Sequence, residues 1–140
     1  MMRVVLDTNG LVAALGQSSP YREILLGLYE GKYVLCVSNE ILLEYMEIIA
    51  AKTSAAVAES IIQFILNSAN VELVTPYYHF ELITADRDDN KFVDCAITAG
   101  ATYIVSDDRH FEPLHQIEYP RLMVIKLMEF VKILESQSGK

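Results

Sequence analysis

Residues 2–12 read MRVVLDTNGLV. The apolar run Val4, Val5 and Leu6 stops on an acid, a hydroxyl and an amide, Asp7, Thr8 and Asn9, before the chain turns apolar again at Leu11. A short β-branched run of this kind is the pattern of a parallel strand buried on both faces. Polar groups just past the carboxyl end of such a strand lie where open α/β sheets place their ligands. Asp7 is therefore a candidate site residue. The plainer alternative is that Asp7, Thr8 and Asn9 form the turn and N-cap of the next helix, the common use of these residue types.

On either side of this strand (3–6) the remaining chain alternates in the same way. A helical turn at 11–15 is closed by Gly16-Gln17-Ser18-Ser19-Pro20, and Ile24, Leu25, Leu28 and Tyr29 give helical spacing to residues 21–30. Gly31 stops that helix before a second apolar strand at 33–37, and Ser38 caps the next helix. In that helix Ile41, Leu42, Tyr45, Ile48 and Ile49 fall on one face, and Val57, Ile61, Phe64 and Ile65 fall on one face of its successor, which predicts a helical hairpin. A third strand at 71–75 ends at Pro76, a helix over DDNKFVDCAITAGA ends at Gly100, and a fourth strand occupies 102–105. The SDDRHFEPL loop leads to a fifth strand at 122–125 and a last helix at 128–134. Strands alternating with helices predict a mainly parallel sheet covered on both faces. Residues 1–135 are read as one domain and 136–140 as a tail expected to fray.

The chain of 140 residues is long enough to bury a core without metals or disulfides to hold it. It has no apolar run long enough to span a bilayer and no secretory pattern before the first strand, so a soluble cytoplasmic protein without membrane contact is expected. Cys36 and Cys95 stand singly in apolar segments, which favours small core residues over a zinc site. Nineteen acids against eleven bases give a net charge of −8, which argues against non-specific attraction to nucleic acid.

The acids themselves are ordered. Asp7 follows the first strand, Glu44 lies in the helix after the second, and Asp107 and Asp108 follow the fourth. Glu44 interrupts the oily stretch Ile41-Leu42-Leu43-Glu44-Tyr45-Met46 and can lean back over the sheet edge, because helical side chains point toward the N-terminus. Asp89 stands at the start of its helix, where a plain N-cap is the alternative. Asp94 lies about 140° round that helix from Asp89, so the two cannot both point squarely into one small site. Carboxylates converging without a counter-charge repel by roughly 3 kcal/mol per pair at 5 Å and an effective dielectric of 20. A divalent cation relieves this, and a cluster offering only carboxylate oxygens suits Mg²⁺ or Mn²⁺, metals that activate water for displacement at phosphorus. Thr8 and Asn9 would then orient Asp7.

The set VVLDTNGLVAAL, VSNEILLEYMEII and DDNKFVDCAITAGATYIVSDDRHF resembles the PIN domain, in particular bacterial and archaeal PIN proteins of toxin–antitoxin pairs, similar to VapC toxins. The resemblance runs from residue 3 to about residue 127. It implies a three-layer α/β/α fold with a central sheet of about five strands and a metal-dependent ribonuclease. The family acids then fall on Asp7, on Glu44 in a Ser-x5-Glu pattern, on Asp89 eleven residues before Gly100-Ala101, and on Asp108 in a Ser-x-Asp pattern. Ser106 would be the hydroxyl partner, with Thr8, Asn9, Asp94 and Asp107 in support. Gly10 replaces the bulkier apolar residue usual in the family after Asp-Thr-Asn, and Asp107 leaves the last assignment open by one residue.

Other readings fit less well. A haloacid-dehalogenase-like phosphatase wants a second Asp where this chain has Asn9, and a response-regulator receiver wants a Lys after a later strand. A non-catalytic PIN-like domain that binds metal or protein is the main alternative, kept open by the acidic charge. His79, His110 and His115 have no metal-ligand spacing and read as surface or structural residues. Arg22, Lys52, Lys91 and Arg109 are the candidate RNA contacts, and the resemblance implies a homodimer and a small protein antitoxin.

Overall fold

The computed structural model describes residues 1–83, 87–117 and 121–138, with the side chains of residues 87 and 138 outside the description. Five strands form one sheet: β1 (Arg3–Leu6), β2 (Val34–Val37), β3 (Val71–Leu73), β4 (Tyr103–Val105) and β5 (Val124–Ile125). Their order is β3-β2-β1-β4-β5, and every pairing is parallel, with Val4 beside Leu35, Leu6 beside Val105 and Val105 beside Ile125. Among the described residues six α-helices join and flank the strands: α1 (Thr8–Ala14), α2 (Arg22–Tyr29), α3 (Asn39–Lys52), α4 (Ala55–Leu66), α5 (Asn90–Ala99) and α6 (Leu127–Ser138). Short 3₁₀ segments lie at Arg87–Asp89 and Arg109–Gln116. The result is the expected three-layer α/β fold.

The order places the candidate site. From β1 the chain builds outward through β2 to β3, then returns to the other side of β1 to lay down β4 and β5. The direction of winding therefore reverses between β1 and β4, and such a switch point opens a crevice at the carboxyl ends of the two strands. Asp7 follows β1 and Ser106 follows β4, so both stand in that crevice, and the Asp7 amide still donates to the Val105 carbonyl at 3.2 Å.

The central strands are apolar because both faces are covered. Val4, Val5, Leu35, Cys36, Val37 and Val105 are fully buried, and α3 adds Ile41, Tyr45 and Ile49 to the same core. Phe92 of α5 meets Phe111 of the second 3₁₀ segment edge-on at 6.3 Å, and Phe130 of α6 meets Tyr33 at 5.0 Å. Gly100 ends α5 in the left-handed region, φ 63°, the conformation glycine adopts most cheaply.

Several boundaries and faces differ from the sequence reading. α1 begins at Thr8 rather than residue 11, because Asp7 caps it and the first-turn positions tolerate the poor helix formers Thr8, Asn9 and Gly10. In α4 the buried residues are Ala58, Ile62 and Ile65, while Val57 is exposed; the helix is apolar nearly all round, so periodicity leaves its phase open. Tyr29 is likewise exposed at the end of α2, where Gly27 takes the buried position. β3 and β5 are shorter than read, and the SDDRHFEPL loop contains a 3₁₀ helix. α6 continues to Ser138, into the stretch expected to fray, while residues 139–140 lie outside the described residues. No helix among the described residues is long and apolar enough to cross a membrane.

Candidate active site

Asp7 is the innermost acid of the crevice, 5% exposed. Its Oδ1 accepts the Gly10 amide at 2.7 Å, and its Oδ2 accepts the Ser106 hydroxyl at 2.5 Å. The capping reading of Asp7 therefore holds without closing the site reading: one oxygen starts α1 and the other meets Ser106, just past β4. Burial pushes the Asp7 carboxyl up to about 6 against these two hydrogen bonds, and repulsion from Asp108 and Asp89 adds to the rise. Gly10 makes the approach possible. A Cβ there would stand 2.7 Å from Asp7 Oδ1 and 2.8 Å from a methyl of Leu127, which fills the space that a bulkier residue would occupy.

The other acids arrive from three further elements. Glu44 leans from α3, where Thr8 donates its hydroxyl to Oε2 and Lys91 sets its ammonium 2.5 Å from Oε1. Its neighbour Tyr45 is fully buried and donates to the Leu6 carbonyl at 2.5 Å, fixing α3 to the end of β1. Asp89 occupies the N-cap position of α5, yet its carboxylate makes no capping bond; it lies 3.2 Å from His110 Nδ1. Asp108 accepts the His110 amide at 2.9 Å and stands 3.4 Å from the same ring nitrogen. Ligand atoms of Asp89, Asp108 and His110 all lie within 4.8 Å of one another. Asp7, Thr8, Glu44, Asp88, Asp89 and Asp108 line a single cavity of about 210 Å³.

The structure thus brings Asp7, Glu44, Asp89 and Asp108 together, with Thr8 and Ser106 bonded to two of them. Asn9 is exposed at the cavity rim. Asp107 turns aside: its Oδ1 accepts the Leu127 amide at 2.9 Å and ties α6 to the loop after β4. A cavity of about 340 Å³ between Asp7, Asp107, Tyr21 and Leu127 lies on that side. Asp94 does not join the cluster. It is buried on another side of α5, accepting the Phe80 amide at 3.0 Å and facing His79 Nδ1 at 3.2 Å, so it holds the segment after β3.

Two residues at the cluster escape the sequence reading as site residues. His110 reads as surface or structural, but the 3₁₀ helix that Asp108 caps folds its ring back toward Asp89. Lys91 reads as an RNA contact, but its ammonium is spent on Glu44. Arg22, another of that set, donates to the Leu15 carbonyl at 3.2 Å, while Lys52 and Arg109 are exposed.

A parallel α/β sheet with acids gathered at its switch point belongs to the open α/β class, in which ligands bind outside the carboxyl ends of the strands. The family model described as PIN domain matches residues 3–110, and the chain belongs to that family. Among solved structures, the fold is similar to that in the crystal structure of VapBC2 from Rickettsia felis bound to a DNA fragment from their promoter. The TM-score is 0.63 at 18% identity, over 89% of this chain and 98% of that one. It is also similar to the PIN domain endonuclease Utp24, with TM-score 0.52 and 16% identity over 89% of this chain and 84% of that one. No curated relative matches the sequence. At these identities the likeness speaks for the fold.

Proposed function

We propose that the chain is a metal-dependent ribonuclease that hydrolyses RNA phosphodiester bonds, acting as the toxin of a toxin–antitoxin pair. The observation that carries this reading is the shared cavity of Asp7, Glu44, Asp89 and Asp108 at the β1–β4 switch point. Family membership supports a nuclease, and the likeness to a chain of a VapBC2 complex supports a protein antitoxin as partner.

The donors fit Mg²⁺ or Mn²⁺. They are carboxylate oxygens gathered from separate elements, with the His110 ring nitrogen beside Asp89 and Asp108, and Asp7 is raised partly by its neighbours, as expected of acids assembled for a positive charge. Asp7, Asp89 and Asp108 would hold the ion, with Glu44 beside them. Such an ion would supply charge against the phosphate and would lower the pKa of water for in-line attack on phosphorus. The chain's own groups set the geometry: Ser106 and Gly10 orient Asp7, Thr8 and Lys91 orient Glu44, and His110 aligns Asp89 with Asp108. Water's oxygen bonds to phosphorus and gives up a proton, the bond from phosphorus to the leaving ribose oxygen breaks, and that oxygen takes up a proton, so that one water is consumed.

Exposed apolar residues on the α3–α4 hairpin, Leu43, Met46 and Val57, support a protein partner there, and a homodimer belongs to the same reading. The net charge of −8 favours the second reading, an inactive metal- or protein-binding PIN domain. Incubation with a pool of structured and unstructured RNAs separates the two. Cleavage that needs Mg²⁺ or Mn²⁺ and disappears in Asp89→Asn supports the nuclease; intact RNA across the pool with both ions leaves the interaction domain.

A further inference from the structure

Lys91 brings a positive charge into the acid cluster. It stands two residues beyond Asp89 on α5, its side chain is 14% exposed, and its Nζ lies 2.5 Å from Glu44 Oε1. The Phe92 ring centroid is 5.9 Å from the same ammonium, so the side chain is settled over an aromatic ring and not extended into water. The other Glu44 oxygen takes the Thr8 hydroxyl. Asp7 differs: its two oxygens take a backbone amide and a serine hydroxyl, donors that leave its charge in place.

The cavity therefore has two ends. At one, donor atoms of Asp89, Asp108 and His110 lie within 4.8 Å of one another, the spread of ligands around a single ion at about 2.0–2.6 Å. At the other, Glu44 is already matched by an ammonium. Sites with two metal ions hold them about 3.5–4 Å apart and need carboxylate charge for both. Here a second dication would have to enter beside Lys91. Asp88 lines the cavity as well, so the five carboxylates and the ammonium stay negative with one dication; what bars a second ion is local, the ammonium already matched to Glu44 at that end.

We propose that Lys91 is a resident cation standing in for a second metal ion, so that the cavity takes one divalent cation, held by Asp7, Asp89 and Asp108. Lys91 and Glu44 are then positioning residues: the pair fixes the electrostatic edge of the ion site without ligating the ion. This rests on the reading of the cavity as a cation site, and its test needs no RNA.

Mn²⁺ binding to the metal-free full chain, counted by calorimetry and by the electron paramagnetic resonance of free Mn²⁺, reads the stoichiometry directly. The wild type should take one ion per chain. Lys91→Met, which keeps the apolar length and deletes the charge, should take a second ion and bind the first about tenfold more tightly, the effect of removing a unit charge a few ångströms away in a partly hydrated cavity. Lys91→Arg should keep a single ion, and Lys91→Met combined with Glu44→Gln should return to one. Two ions on the wild type overturn the proposal whether or not any variant folds. A folded Lys91→Met that binds one ion with unchanged affinity overturns it as well, and absence of Mn²⁺ binding at millimolar concentration overturns it together with the metal-dependent function. One ion with the expected variant pattern, but no RNA cleavage, sinks the nuclease reading and leaves this inference standing.

Discussion

Asp7 carries a conflict between folding and charge that can be measured. Its carboxyl ionises at about 6 in the folded chain, chiefly because it is buried, whereas the unfolded chain gives it an ordinary value of about 3.9. The raised value means that folding favours the protonated form. The stabilising contribution is therefore complete below about pH 4 and is lost as pH rises through about 6. Above that, keeping Asp7 ionised costs about 3 kcal/mol in metal-free buffer. Asp7→Asn retains an acceptor for the Gly10 amide while deleting the charge, so it should be more stable than the wild type at pH 8 and should lose that advantage at pH 4. Urea unfolding in the presence of a chelator at both pH values checks this; a variant weaker at both would show that the hydrogen bonds, not the charge, dominate. The same substitution should lower RNA cleavage by orders of magnitude, and unchanged metal-dependent cleavage would refute the nuclease reading. A second residue-scale expectation concerns Cys95, whose thiol burial pushes up to about 12, and Cys36, which burial also raises. Neither should react with a thiol reagent at pH 8 until the chain unfolds, so the reaction rate reports opening of the core.

Among the elements, α5 makes the sharpest contrast, because it presents Asp89 to the cluster and Asp94 to the segment after β3. Asp89→Asn should abolish cleavage with little change in stability. Asp94→Asn should keep most activity and lose about 1 kcal/mol, the worth of a weakened hydrogen bond, since the amide retains an acceptor for Phe80 but no charge for His79. Thermal melts and RNA cleavage on the two variants decide it, and the reverse pattern would move the third acid to Asp94. On α3, Tyr45→Phe leaves the Leu6 carbonyl without its hydroxyl donor and should cost about 1–3 kcal/mol, read from urea midpoints. The strands and these acids were legible because they obey local rules. An apolar run stopped by Asp7 marks a buried strand with a polar end, and the 3.6-residue period separates Asp89 from Asp94. What stayed hidden depends on tertiary contact. No local pattern tells that His110 turns toward Asp89, that Lys91 reaches across to Glu44 on another helix, or which side of the nearly all-apolar α4 faces inward.

For the molecule as a whole, net charge and local charge pull in one direction, since an acidic chain with a cluster of acids at one edge gains from any dication it can hold there. Mg²⁺ or Mn²⁺ should therefore raise the melting temperature in a saturable way, by roughly 2.7 kcal/mol of stability at a hundredfold excess over Kd, while Ca²⁺ should bind yet support little cleavage. Differential scanning calorimetry across a metal titration tests this, and no shift with either Mg²⁺ or Mn²⁺ would count against an intact site. The winding of the sheet explains why such a small domain can build the cluster: acids far apart in the chain reach one crevice because β1 and β4 lie side by side, while β2 and β3, which come between them in the chain, lie on the other side of β1. The helix α6 adds a dimension of time. Leu127 opens α6, stands against Gly10 behind Asp7, and is tied through its amide to Asp107. A ribosome delivers the N-terminus first, so Asp7 emerges long before the residue that backs it. For the nuclease proposed above, the packing behind Asp7 is therefore the last part of the acid edge to close, after the start of α6 has been made.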